Sequence, residues 1–199
     1  MIKQMSNRIT AYLIQGNIID EAEAEIYQYG IKHIIINMVT LIIVSLLATV
    51  GHTWIATIFF FVGFMPIRLI AGGYHAKTPL GCNILSLVIY SMNMILVYSA
   101  YVYVTDAIVI STGTIISIII FIIAPVDHKN RTLEAREYSK AKKRCRIMGL
   151  LIISLGVIMS LLPETNHIAI TGTIMGSLTA SISLVIGRII RGGEFNEKI

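Results

Sequence analysis

The chain has 199 residues, of which 55% are hydrophobic and 14% charged, and a net charge of +5; its mean hydropathy is +0.77. A soluble domain carries about 25% charged residues, so an ordinary soluble globular protein is excluded and one membrane domain is the natural count. The positive balance comes without an aromatic-rich binding module, so nucleic acid is not an expected partner, whereas the anionic surface of a lipid bilayer is.

Residues 1–33 read as helical material along a membrane surface. Ile9, Tyr12 and Leu13, then Ile26 and Tyr29, recur at helical steps. Gly16 and Asn17 divide the segment, and Asp20 is positioned to cap its second piece. Such a segment is expected to lie at the inner interface. Asp20, Glu21, Glu23 and Glu25 stand where a secretory signal would have its apolar stretch, so no cleavable signal is expected.

Six apolar runs follow: Ile34–Val50, Trp54–Ile70, Asn83–Val104, Ala107–Pro125, Ile147–Leu162 and Ile168–Gly187. Each approaches the roughly 17–25 residues of a spanning helix; the first and fifth are short and need tilt or flanking residues. The expected fold is all-α: a single integral membrane domain over 1–199, with an interfacial segment 1–33, a six-span bundle 34–187 and a tail 188–199. The sequence Gly172-Thr-Ile-Met-Gly176 has the spacing of close helix packing. Packing within one subunit is favoured over a dimer contact.

All 16 Lys and Arg residues fall in four segments on one side of this scheme. Lys3, Arg8 and Lys32 precede the first span, and Arg68 and Lys77 follow the second. Eight lie between Lys129 and Arg146, and Arg188, Arg191 and Lys198 end the chain. The three opposite connections, around Gly51–Thr53, Thr105–Asp106 and Pro163–His167, have none. Basic loops stay cytoplasmic, so both termini are expected on the cytoplasmic side of the membrane. Both cysteines then face a reducing compartment, and no disulfide is expected.

The chemistry-bearing inventory is small. Neither Cys-x-x-Cys nor His-Glu-x-x-His occurs, so no zinc site is expected; no cofactor or metal motif is present. Intramembrane Asp and Glu are lacking, which argues against a proton-coupled transporter. His33, His52 and His167 read as interfacial polar residues.

Between the second and third runs stands RLIAGGYHAKTPLGC, residues 68–82. Thr78 is a natural N-cap and Pro79 a natural first helical residue, so the third span is expected to start at Pro79. Cys82 then falls in its first turn, where the positive end of the helix dipole favours a thiolate. Arg68 and Lys77 would add to that field. His75 lies seven residues from Cys82, about 10.5 Å on a straight helix. That is too far for a hydrogen bond, but Gly72, Gly73 and Pro79 make a straight helix improbable. A thiol beside an imidazole is the minimal unit for nucleophilic acyl transfer. The alternative is a small buried cysteine and an interfacial histidine. A rival pair is Cys145, among Lys143, Arg144 and Arg146, with His128; basic neighbours would activate that thiol too. The same basic run also reads simply as an inner-leaflet anchor.

The stretch RLIAGGYHAKTPLGC resembles the central motif of the accessory gene regulator B family, AgrB, membrane cysteine endopeptidases of peptide quorum sensing. APVDHKNRTL, Ala124–Leu133, resembles that family's second recognisable stretch. The resemblance covers nearly the whole chain. It implies His75 as general base and Cys82 as nucleophile. The implied substrate is an AgrD-type propeptide, cleaved at its acidic C-terminal tail through an acyl-enzyme and then cyclised to a thiolactone or lactone. It also implies a homodimer. Backbone amides at the start of the third span, and Arg68, are candidates for holding the oxyanion. Lys140, Lys142 and Lys143 would help dock the acidic tail. Two other functions fit the same residues. A membrane S-acyltransferase would carry a fatty acyl group on Cys82 without any peptide. A small peptide exporter would keep working after Cys82→Ala.

Overall fold

The computed structural model describes residues 2–74, 76, 78–126, 135–161 and 166–196. Every regular element among them is helical: α1 (Ile2–Gln15), α2 (Ala24–Val50), α3 (Trp54–Ala71), α4 (Pro79–Ala100), α5 (Asp106–Ile123), α6 (Ala135–Leu161) and α7 (His167–Asn196), with short 3-10 turns at Glu21–Glu23 and Tyr101–Tyr103. Five stretches of the described residues are long and apolar enough to cross a membrane: Glu21–Val50, Trp54–Ala71, Pro79–Tyr103, Asp106–Ile123 and His167–Ile190. This is a polytopic all-α membrane protein. The fifth predicted run, as far as Leu161, lies in α6, behind the charged half-helix that ends at Arg146.

The chain forms two compact units. One comprises Met1–His52 and Ala76–Tyr90; the other comprises Thr53–His75 and Ser91–Ile199. α4 contributes to both.

In the first unit α1 packs on α2. The break falls where expected, with Asn17 in the left-handed region at φ 51°. Two details differ from the sequence reading. Asp20 precedes the 3-10 turn with extended backbone and makes no side-chain cap, and α2 runs unbroken from Ala24 through the predicted first span. The side of α1 turned to protein is also the small polar one. Ser6 and Thr10 are buried while Ile9 and Tyr12 stand exposed. The buried hydroxyls are satisfied inside the helix, Ser6 Oγ donating to Lys3 O and Thr10 Oγ1 to Ser6 O. The apolar stripe is thus left for a bilayer surface.

The second unit is built on the crossing of α3 and α7. Gly63, Gly172 and Gly176 let the two backbones touch. A Cβ on Gly172 would lie 2.9 Å from Ala56 O, and one on Gly176 would sit 2.9 Å from the Phe60 carbonyl carbon. The Gly172–Gly176 pair therefore packs within the subunit, as the sequence reading favours. Ser177 Oγ donates across the crossing to Gly63 O at 3.3 Å. Ile67, Ala71, Ile116, Ile120, Cys145 and Leu184 form the core where α3, α5, α6 and α7 meet. Outside it the surface is apolar: Leu69 is 78% exposed, Ile122 73% and Leu150 68%. Such an outward apolar surface suits a lipid environment.

Candidate active-site segment

The chain leaving α3 is a built turn as far as Tyr74. In the second unit, α3 ends at Ala71 and the chain turns through Gly72 (φ 82°) and Gly73 (φ 136°). Both are backbone conformations that L side chains rarely adopt. Space excludes a side chain as well: a Cβ on Gly72 would lie 2.6 Å from Val126 O, and one on Gly73 3.0 Å from Ser183 Oγ. The segment is then tied down. Val126 N donates to Ala71 O at 3.0 Å, part of a parallel bridge between Gly72 and Val126. Tyr74 N donates to Ser183 O at 2.9 Å and lies 3.2 Å from Ser183 Oγ.

Arg68 closes the arrangement. Its Nη1 donates to Gly72 O at 3.3 Å and to Ser183 Oγ at 3.1 Å, and its Nη2 donates to Tyr74 O. Charge-assisted hydrogen bonds of this kind contribute about 1.5–3 kcal/mol each. The permissive backbone of the two glycines ends the straight helix and seats the stretch against α7, where Arg68 and Ser183 hold it. Arg68, expected as a field source or oxyanion holder, is engaged in this clamp.

In the first unit the cap and Pro79 are as expected. Gly81 N donates to Thr78 Oγ1 at 3.1 Å, the third helical N–H served by its N-cap side chain. Cys82 N donates to Thr78 O at 3.0 Å, and α4 starts at Pro79. Cys82 is half-buried and forms no disulfide; it sits in the first turn of α4. His75 and Lys77 lie outside the described residues, and with them the expected proximity of imidazole and thiol. So do Asp127, His128 and the first part of the basic run.

The rival thiol is accounted for by burial. Cys145, two residues before the fifth predicted run, is 1% exposed, and its Sγ lies 3.7 Å from Ile70 O. Burial pushes the thiol up to about 11, against the pull of a backbone hydrogen bond. The expected activation by basic neighbours is therefore corrected: adjacent helical residues face elsewhere. Arg144 is exposed, and Arg146 lies over the Phe121 ring, 4.3 Å from its centroid. Lys140 and Lys143 are exposed and Lys142 half-buried on α6, so this part of the basic run is helix and not loop.

Sequence reasoning passed over Ser183, Gly187 and Val126. A signal for the first two exists in the four-residue spacing of small residues, Ser183 to Gly187. A Cβ on Gly187 would lie 2.8 Å from Tyr74 N, so that spacing is a seat for the 72–74 backbone.

Long apolar helices and a fixed polar turn leading to a capped cysteine define a polytopic membrane protein with a candidate thiol site. Residues 6–193 match the family Accessory gene regulator B, AgrB, and the chain belongs to that family. It is 24% identical over 189 residues to an AgrB-like protein of Clostridium perfringens, covering 92% of this chain and 87% of the relative. It is 26% identical over 184 residues to the accessory gene regulator protein B of Staphylococcus haemolyticus, with coverage of 89% and 94%. An AgrB-like protein of Halalkalibacterium halodurans is 25% identical over 187 residues, with 90% of each chain covered. No solved structure matches the chain. Family membership assigns the protein to accessory gene regulator quorum sensing and to the processing of its peptide, a role associated with AgrD propeptides.

Proposed function

We propose that the protein is a cysteine endopeptidase that removes the C-terminal tail of an AgrD-type propeptide and passes the remaining acyl group to ring closure. The observation that carries this reading is Cys82 in the first turn of α4, behind the Thr78 cap and Pro79. His75 takes the thiol proton. The Cys82 sulfur attacks the carbonyl at the tail junction, and the imidazolium returns the proton to the departing amine. The peptide bond is thereby exchanged for a thioester on Cys82. A thiol or hydroxyl within the propeptide then attacks that thioester, closing a thiolactone or lactone, and its proton returns the Cys82 sulfur to the thiol. In the thiol case one thioester replaces another, so closure is nearly balanced in energy, and loss of the tail drives the sequence. Partial shelter at the membrane edge favours cyclisation over hydrolysis.

The test uses wild-type enzyme and a propeptide whose internal nucleophile is replaced by Ala. Ring closure is blocked, and a hydroxylamine-sensitive adduct is expected to accumulate on Cys82, located by mass spectrometry. Cys82→Ala and His75→Ala are each expected to abolish tail release while the protein stays inserted. Their losses do not add, because nucleophile and base act as one unit. An adduct on Cys145, or full cleavage by Cys82→Ala, would overturn the reading.

A further inference from the structure

We infer that Arg68 and Ser183 are positioning residues for His75, acting as a guanidinium–hydroxyl clamp that fixes the peptide group preceding it. The inference rests on the proposed role of His75 but concerns different residues. Tyr74 O is the carbonyl of the peptide bond to His75, and it accepts from Arg68 Nη2. The other end of the same residue is held too, since Tyr74 N donates to Ser183 O at 2.9 Å. Ser183 Oγ lies 3.1 Å from Arg68 Nη1 and 3.2 Å from Tyr74 N, so one hydroxyl joins both bonds. A peptide unit is planar and leaves the chain only two soft torsions per residue. Holding Tyr74 at both its N–H and its C=O therefore fixes the peptide group that leads into the proposed base.

The surroundings are shaped for this arrangement. Gly73 has no room for a Cβ beside Arg68 and Ser183, and Gly187, one turn along α7, has none beside Tyr74 N. A planar fork of donors can reach Gly72 O, Tyr74 O and Ser183 Oγ together; an ammonium is a point charge on a flexible stem and cannot reproduce that geometry. Two helices, α3 and α7, are thus joined through the residue next to the proposed base. Misplacing a catalytic group by about 1 Å costs on the order of 100-fold, so the clamp bears on the rate of chemistry and not on substrate affinity.

The experiment compares full-length wild type, Ser183→Ala, Ser183→Thr, Arg68→Lys and the Ser183→Ala/Arg68→Lys double variant, in membranes, on the propeptide. Alanine is smaller than serine and favours helix, so Ser183→Ala keeps α7; thermal unfolding in detergent checks this. Ser183→Ala and Arg68→Lys are expected to lower kcat about 10- to 100-fold with KM little changed. They are also expected to move the pH–rate profile for alkylation of Cys82 by iodoacetamide, a readout that needs no substrate. Ser183→Thr, which keeps the hydroxyl, should recover most of the rate. The double variant should fall no further than the worse single one. Ser181→Ala, whose hydroxyl bonds Ser177 O within α7, should stay at the wild-type rate. Wild-type kcat and alkylation profile in Ser183→Ala, with Cys82→Ala inactive, would overturn the clamp and leave the endopeptidase reading standing. A rise in KM alone for Arg68→Lys would make Arg68 a substrate ligand and would also overturn it. An active Cys82→Ala would instead remove the reading on which the clamp depends.

Discussion

Cys82 and Cys145 are the same residue in different surroundings. Cys145 is enclosed by the core of α3, α5, α6 and α7, and taking a thiolate out of water costs more than nearby lysines return across a solvated helix surface. Its thiol, raised to about 11, stays neutral through the physiological range. In the folded protein, iodoacetamide is therefore expected to modify Cys82 and to leave Cys145 untouched below about pH 9; denaturant should expose both, and peptide mapping reads the difference. The pH dependence has a definite sign. An acid whose folded value lies above its unfolded value binds the extra proton in the fold, so stability is retained below the unfolded value and falls as pH rises from about 9 towards 11. Cys145→Ala should lose that alkaline decline in a melting series while keeping most of the activity. Modification of Cys145 in the folded protein at neutral pH would contradict its burial. At this scale the sequence carried Thr78, Pro79 and Cys82 faithfully, because a cap and its first turn are local. The ionisation of Cys145 was out of its reach, because burial depends on helices far apart in sequence.

At the scale of elements the α3–α7 crossing governs the second unit. Hydrophobic burial does little to drive helices together in lipid, where close packing and interhelical hydrogen bonds do the work. The glycines at this crossing are therefore structural. Gly176→Ala would drive a Cβ into the Phe60 carbonyl, and Gly63→Ala would place one 2.7 Å from Ser177 Oγ. Overpacking of this kind costs about 1–3 kcal/mol or more. Gly113 of α5 is the contrast. It has nothing within 4 Å of its Cβ position and borders an apolar gap lined by Val109, Ile116, Gly156 and Thr173. Gly113→Ala is expected to be neutral or to stabilise by up to about 1 kcal/mol through helix propensity. Detergent-solubilised melting curves of the three variants check the ordering; an unaffected Gly176→Ala would refute the close crossing. The Gly-x-x-x-Gly spacing was legible beforehand and its partner was not, since a small-residue motif names no second helix.

For the whole molecule the distribution of charge sets the expected orientation. With every Lys and Arg confined to four segments, Asp106 and Thr53 are expected outside and Cys82 and Cys145 inside. Asp106→Cys in a background lacking both native cysteines should react with a membrane-impermeant thiol reagent in intact cells. Protection there, with labelling in inverted vesicles, would reverse the orientation. The outward apolar side chains of α3, α5 and α6 and the exposed Ile9 and Tyr12 of α1 belong to the same picture, a protein whose exterior suits a bilayer.

Hydropathy, basic loops, the Thr78–Pro79 cap and the quoted motifs are local properties of the chain, and they were enough to establish an all-α membrane protein of the AgrB family, with Cys82 at a helix start. The tertiary structure decided which apolar helices share a core, that the Cys145 thiol is buried and neutral, and that the Gly72–Gly73 turn seats against α7 and Val126. It also brought Ser183 to Arg68 across 115 positions of chain. No periodicity encodes such a contact, because hydrogen bonds between distant helices are chosen by which surfaces fit together, and that is known only once the helices are packed.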